Sequence, residues 1–291
     1  MPDGNNMQSG PDQGGQNQQV PQTSGPNLNN SGMSPIGEGW GTGSASFDEA
    51  VENIKKFFGA FKGDVMTAWL VFAGIGFLLQ TLEVGVEFFT WLLSSATGGI
   101  GSIFGLLGIP VAILVGLGSV VLTAGQLSLY GPMREKMFHG IEPGSWNAAL
   151  KTGMGRIMPV TLSIVAIAVI IPLTCVIPGL IIAFFAIMAP YLLASRQDLG
   201  VIDAFKRSYE LAKKYWQVFA LTIGGLFVAG LAAGCIVGIG SALYFLPEPL
   251  GMIGGSYASW AAVTAFQFGI FVVWGGVFST VDAHESGETL G

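Results

Sequence analysis

The sequence predicts an all-α polytopic membrane protein: six transmembrane helices forming three hairpins, each hairpin preceded by an amphipathic interfacial helix, behind a disordered N-terminal tail. Three observations predict it. Of 291 residues, 51% are hydrophobic and 10% are charged, whereas soluble globular chains carry roughly 25% charged residues. The twelve Lys and Arg fall into three clusters separated by long stretches with none. Each cluster contains a segment of helical amphipathic periodicity that runs straight into an apolar stretch.

Residues 1–46 are rich in Gly, Asn, Gln, Pro and Ser, hold no Lys or Arg, and carry Trp40 as their one aromatic. Such a segment buries too little apolar area to offset its ordering entropy, so a disordered cytoplasmic tether is expected, with partner recruitment as the other use. No basic stretch followed by an apolar one opens the chain, so no cleavable signal peptide is expected and the internal spans drive insertion.

The clusters are Lys55, Lys56 and Lys62; Arg134, Lys136, Lys151 and Arg156; and Arg196, Lys206, Arg207, Lys213 and Lys214. One span takes roughly 20 residues, at 1.5 Å per residue across about 30 Å of hydrocarbon. The gap after Lys62 therefore holds two spans, near Val65–Leu82 and Phe104–Leu129, linked by the glycine-rich stretch at 94–99. The gap after Arg156 holds two more, turning near Thr174–Gly179 where Pro178-Gly179 is a strong breaker. The last two lie near Trp216–Leu243 and Tyr257–Val281, joined around Pro247-Glu248-Pro249. This division puts every cation on one face of the membrane. The positive-inside rule makes that face cytoplasmic, together with both termini.

The three segments that precede the hairpins align. Phe47-Asp48-Glu49-Ala50, Trp146-Asn147-Ala148-Ala149 and Ile202-Asp203-Ala204-Phe205 each begin with a large apolar residue followed by Asp or Asn, which suits a helix N-terminus. Phe47, Ala50, Val51, Ile54, Phe57, Phe58 and Phe61 then keep to one helical face, and the other two segments follow the same rule. Such helices suit the membrane surface, with Lys55, Lys56, Lys206, Arg207, Lys213 and Lys214 near anionic headgroups. The same periodicity also suits loop helices packed against the bundle. The expected organisation is a membrane domain at 47–282, with repeat units near 47–133, 146–195 and 202–282, and a short acidic tail at 283–291.

Pro178-Gly179-Leu180, Pro190-Tyr191 and the run from Leu199 to Leu211, LGVIDAFKRSYEL, resemble uncharacterised bacterial integral-membrane proteins related to the glycerophosphoryl diester phosphodiesterase membrane domain. The resemblance covers about Trp146 to Leu226. It implies a helical bundle of the bacterial inner membrane with an unassigned role, and no phosphodiesterase activity, because the catalytic domain is missing. A more distant similarity links the chain to five-span Yip-type trafficking proteins, which also carry cytosolic N-terminal tails.

Few residues suggest chemistry. Glu83 and Glu87, four residues apart, share a helical face, and intramembrane carboxylates often mark proton or cation paths. A span of Val65–Leu82 instead leaves both hydrated at the outer interface. Gly230, Gly234 and Gly238 form a small-xxx-small face suited to helix packing, within the bundle or between protomers. Pro172 and Pro190 are expected to kink their spans. Cys175 and Cys235 read as small packing residues, and His139 and His284 lack the neighbours of a metal ligand or general base. No metal, cofactor or catalytic residue is expected, and no P-loop, GxSxG or HExxH motif occurs. The net charge of −6 argues against nucleic acid. The expected partners are the lipid bilayer and a membrane protein or second copy of the chain. The leading expectation is a non-enzymatic scaffold of envelope components; the rival is a transporter or lipid-handling permease, weakened by the lack of an evident polar cluster in mid-span.

Overall fold

The computed structural model describes residues 43–97, 106, 108–174, 176–241 and 245–288. The tail through residue 42, the link at 98–99 and Cys175 lie outside them, as do the side chains of Cys235 and Gly238. Among the described residues every regular element is helical: α1 (Phe47–Ala60), α2 (Asp64–Ala96), α3 (Gly108–Ser128), α4 (Tyr130–His139), α5 (Trp146–Met154), α6 (Ile157–Leu173), α7 (Val176–Ala186), α8 (Ala189–Ser195), α9 (Val201–Lys214), α10 (Trp216–Ser241) and α11 (Leu250–Ser286).

Four stretches of the described chain are long and apolar enough to cross a membrane: Asp64–Ala96, Gly108–His139, Pro178–Ser195 and Leu250–Ser286. The pair α5 and α6, bent by 57°, raises this to as many as five, and Trp216–Phe227 of α10 is a shorter apolar helix. The chain is therefore a multi-pass helical membrane protein. Its longest helices exceed one bilayer thickness. α2 has 33 residues and α11 has 37, about 50 and about 55 Å at the α-helical rise, so each tilts or projects beyond the hydrocarbon.

The three amphipathic segments form α1, α5 and α9. Ser46 and Ser145 cap the first two, each accepting a backbone N–H three residues on. α9 has Gly200 at that position and Asp203 in its first turn. Their apolar faces are shared between the bundle and the surface. In α1, Ala50, Phe57 and Phe61 are buried while Phe47 and Phe58 stay exposed. In α9, Ala204, Leu211 and Ala212 are buried and Ile202 is exposed. Trp146 and Met154 of α5 and Tyr209 of α9 stay exposed as well, so each helix docks on the bundle through part of its apolar face, where burying a Phe contributes about 1.5–3 kcal/mol, and presents the rest at the surface.

α1 lies along the last third of α11, which two adjacent glycines open to it. A Cβ on Gly275 would stand 2.3 Å from the Phe57 ring, and one on Gly276 would stand 2.5 Å from the Ile54 Cα. The rings of Phe57, Phe61, Tyr130, Tyr191, Phe271 and Phe278 fill the space between α1, α4, α8 and α11, with neighbouring centroids 5.3–6.1 Å apart. Beneath them, Asn53 donates to Thr280 Oγ1 at 3.0 Å.

The end of α11 gathers the cation clusters. Asp282 is 3% exposed and accepts from Arg134 Nε at 2.5 Å and Arg196 at 3.3 Å. Glu285 takes Arg207 at 2.6 Å, Lys214 at 2.9 Å and the Tyr215 hydroxyl at 2.9 Å. His284 lies 3.0 Å from Glu49 of α1, and its other ring nitrogen lies 3.2 Å from Ser44. The acidic segment expected as a tail from residue 283 is helical to Ser286, and its side chains tie the basic end of the bundle together. Two members of the expected lipid-facing set, Arg207 and Lys214, are engaged by Glu285. Lys206 pairs with Asp203 on its own exposed helix face at 3.4 Å, and Lys55 and Lys56 are exposed on α1.

Pro190 marks a break. The helix stops at Ala186 and restarts at Ala189, with Pro190 in the first turn of α8. Ser208 of α9 serves the freed backbone, accepting from Met188 N–H at 3.1 Å and donating to the Phe185 carbonyl at 2.6 Å. A side chain from a neighbouring helix thereby satisfies backbone groups at the interruption between α7 and α8.

Candidate functional site

Three of the long helices leave a cleft between them. α2 packs on both α3 and α11, and the approach of α2 to α3 is set by small residues: a Cβ on Gly118 would meet Leu79 at 2.7 Å, and one on Gly125 would meet the Phe72 ring at 2.4 Å. Higher up, Phe77 of α2 rests edge-on against Trp260 of α11 at 5.2 Å, and Tyr257 donates to Thr81 at 3.1 Å. Between these contacts lies a cavity of about 380 Å³.

Each helix lines it with a stripe at helical spacing. α2 contributes Gln80, Glu83 and Glu87; α3 contributes Ser119, Thr123 and Gln126; α11 contributes Ser256, Ser259, Thr264 and Gln267. Spacings of three, four and seven residues keep the α2 and α3 sets each on one face, and on α11 the two pairs three apart, Ser256 with Ser259 and Thr264 with Gln267, flank Trp260 and Val263 of the same lining. Phe72, Ala73 and Val115 form the apolar part of the lining. Glu83 and Glu87 stand about 28 and about 34 Å along α2 from Asp64, and Phe72, level with the floor, about 12 Å. The cleft therefore runs from the aromatic core through the middle of the bundle to its end away from the cations.

Its electrostatics have one sign. Two carboxylates line it, and no Lys, Arg or His does. The floor carries an unusual group: Gln126 is 6% exposed, lines the cavity, and its carboxamide has no hydrogen-bond partner among the described residues. A primary amide offers two donors and an acceptor, and here they face the space of the cavity rather than a protein partner. Beside it, Gln267 reaches Thr123 only at 3.5 Å. These groups are placed to hydrogen-bond something that enters the cleft.

Glu83 and Glu87 line this cavity at its end away from the cations, Glu83 half-buried and Glu87 exposed, so a hydrated outer position and a place in the lining go together. α2 carries them there by continuing to Ala96. The expected packing glycines fare differently. A Cβ on Gly230 would make ordinary contact with Phe266 at 3.5 Å, and one on Gly234 would meet nothing within 4 Å; the Gly238 side-chain position lies outside the described residues. Close helix approach among the described residues falls instead to Gly118, Gly125, Gly131, Gly179, Gly275 and Gly276. Gln80, Ser119, Thr123, Gln126, Ser256, Ser259, Thr264 and Gln267 are the site residues that charge-based reading passes over, and their helical spacing within apolar stretches is the signal that finds them. His139 pairs weakly with Glu135 at 3.9 Å, and no group of His, Cys, Asp and Glu suited to a metal occurs among the described residues. No protein-family model, curated protein or solved structure matches the chain.

Proposed function

We propose that this chain is a non-enzymatic inner-membrane protein that binds a small solute or lipid in the cleft between α2, α3 and α11 and passes it across or within the bilayer, as a transporter or lipid-handling permease. One observation carries the reading: Gln126, nine-tenths buried and unpartnered, on the floor of a polar cavity inside an apolar bundle. A scaffold gains nothing from such a group, whereas a binding site needs it.

The proposal includes six spans as three hairpins, formed by α2 with α3, α6 with α7–α8, and α10 with α11. Each named pair packs together, and Arg134, Arg196 and Lys214 meet on the last turns of α11, as one shared basic face requires. That face is cytoplasmic in this reading. The likeness of Trp146–Leu226 to the phosphodiesterase-related membrane family belongs to the same proposal and leaves the substrate open.

The test is transport by full-length protein in liposomes, screened over amines, polyols and short lipids. Saturable movement that is lost in Gln126→Leu supports the reading; the absence of movement and of saturable binding for every class overturns it. Accessibility of single cysteines placed in each loop, tested from either side, checks the span count independently.

A further inference from the structure

The polar cleft has a neighbour. Along the same seam of α2 and α11, an apolar groove of about 340 Å³ runs between Phe61, Trp69, Leu70, Ala261, Ala265 and Phe268. Trp260 and Thr264 line the cleft and the groove alike, so the two spaces adjoin at these side chains. Leu70 is 52% exposed, which leaves the groove open towards the surrounding bilayer.

We propose that the cleft and groove together bind a cationic amphiphile, with its charged nitrogen in the cleft beside Glu83 and Glu87 and its hydrocarbon part in the groove. The inference rests on the binding role proposed for the cleft and names its substrate class. Charge selects the head. Two carboxylates with no cation beside them attract a positive group and repel an anionic one, so phosphate and carboxylate headgroups are disfavoured. Gln126 and Gln267 supply hydrogen bonds to any polar part that reaches the floor. Shape selects the tail. The groove is lined by aromatic and aliphatic side chains, with Thr264 as its one polar residue, and the combined volume lies in the range of small-molecule pockets. Glu83 stands about 9 Å along α2 beyond Phe77, which rests on Trp260, so an amphiphile whose chain passes Trp260 and Thr264 from the groove and continues to a nitrogen at Glu83 fills both spaces; a small hydrophilic cation fills only one.

The experiment measures binding of tritiated dodecyltrimethylammonium to the full-length chain in phosphatidylcholine nanodiscs, with empty nanodiscs subtracted. The expected result is saturable binding, displaced by tetraphenylphosphonium and not by dodecyl maltoside. Affinity falls by about tenfold or more in Glu83→Gln with Glu87→Gln, and likewise in Ala261→Trp with Ala265→Trp, which fills the groove and leaves the carboxylates in place. Displacement by dodecyl maltoside alone, indifferent to the Gln variants, overturns the cationic head while the binding role of the cleft stands. Equal affinity for tetramethylammonium and the dodecyl compound, indifferent to the Trp variants, overturns the tail site and again leaves the cleft standing. No saturable binding of any of the four overturns this inference, and the failure of the wider solute screen above is then what separates it from the failure of the binding role itself.

Discussion

Arg134 of α4 and Asp282 of α11 share a hydrogen-bonded ion pair at 2.5 Å, with the Asp282 carboxylate 3% exposed and its other oxygen taken by Arg196. Two loops far apart in sequence are thus closed onto one buried acid. Removing it takes from Arg196 its acidic partner among the described residues and leaves Arg134 with Glu288, at 3.0 Å; breaking such a pair from one side costs about 3–5 kcal/mol when both partners are buried. Arg134 and Arg196 are partly exposed, at 15% and 37%, which lowers the cost.

Asp282→Ala is therefore expected to destabilise the bundle by about 2–4 kcal/mol, read from unfolding in mixed detergent micelles. Lys206→Ala, which removes only an exposed pair with Asp203, is expected to stay within about 0.5 kcal/mol. Equal effects for the two would contradict the buried role of Asp282.

Gly276→Ala places a Cβ against the backbone of Ile54 and Gly275→Ala places one in the ring of Phe57. Overpacking of this kind costs about 1–3 kcal/mol or more, and the Gly276 change is the worse because backbone yields less than a ring. Gly234→Ala opens onto empty space and is expected to be neutral or stabilising. Thermal unfolding of the three variants in one detergent gives the ranking.

Ser208→Ala deletes both hydrogen bonds that bridge the interruption before Pro190. A loss of about 1–3 kcal/mol is expected, together with faster hydrogen exchange at Met188 than in the parent protein.

Gln126→Leu separates stability from function. It removes a buried amide that has no partner, so the folded state is expected to be as stable or more stable, while solute binding in the cleft falls by about tenfold or more. A destabilised variant with unchanged binding would show that the amide serves the core.

Much of this architecture is legible in the residues alone. The segments opening at Phe47 and Trp146 begin helices at those residues, and the one at Ile202 begins one residue earlier, because apolar periodicity and N-terminal polar groups act locally. The interruption at Pro190 is legible for the same reason. The cleft is not. Mean hydropathy hides Gln126 and Ser119 among their apolar neighbours, and the polar stripes gain meaning only when α2, α3 and α11 face one another. The roles of Asp282 and Glu285 are equally hidden, since their partners lie 70 to 148 residues away in the chain, and an acidic terminus beside no nearby cation reads as solvated. Gly275 and Gly276 pass unnoticed beside the more regular Gly230, Gly234 and Gly238 because spacing does not say which face has a neighbour.

The single uninterrupted run of α11 makes it a strut. Its last turns are held by ion pairs and by α1, while near its other end Ser256, Ser259 and Trp260 form a wall of the cleft, braced against α2 by Tyr257 on Thr81 and Trp260 on Phe77. Ser256 and Asp282 stand about 39 Å apart along it, so one rigid element ties the wall of the cleft to the acid that joins the cations.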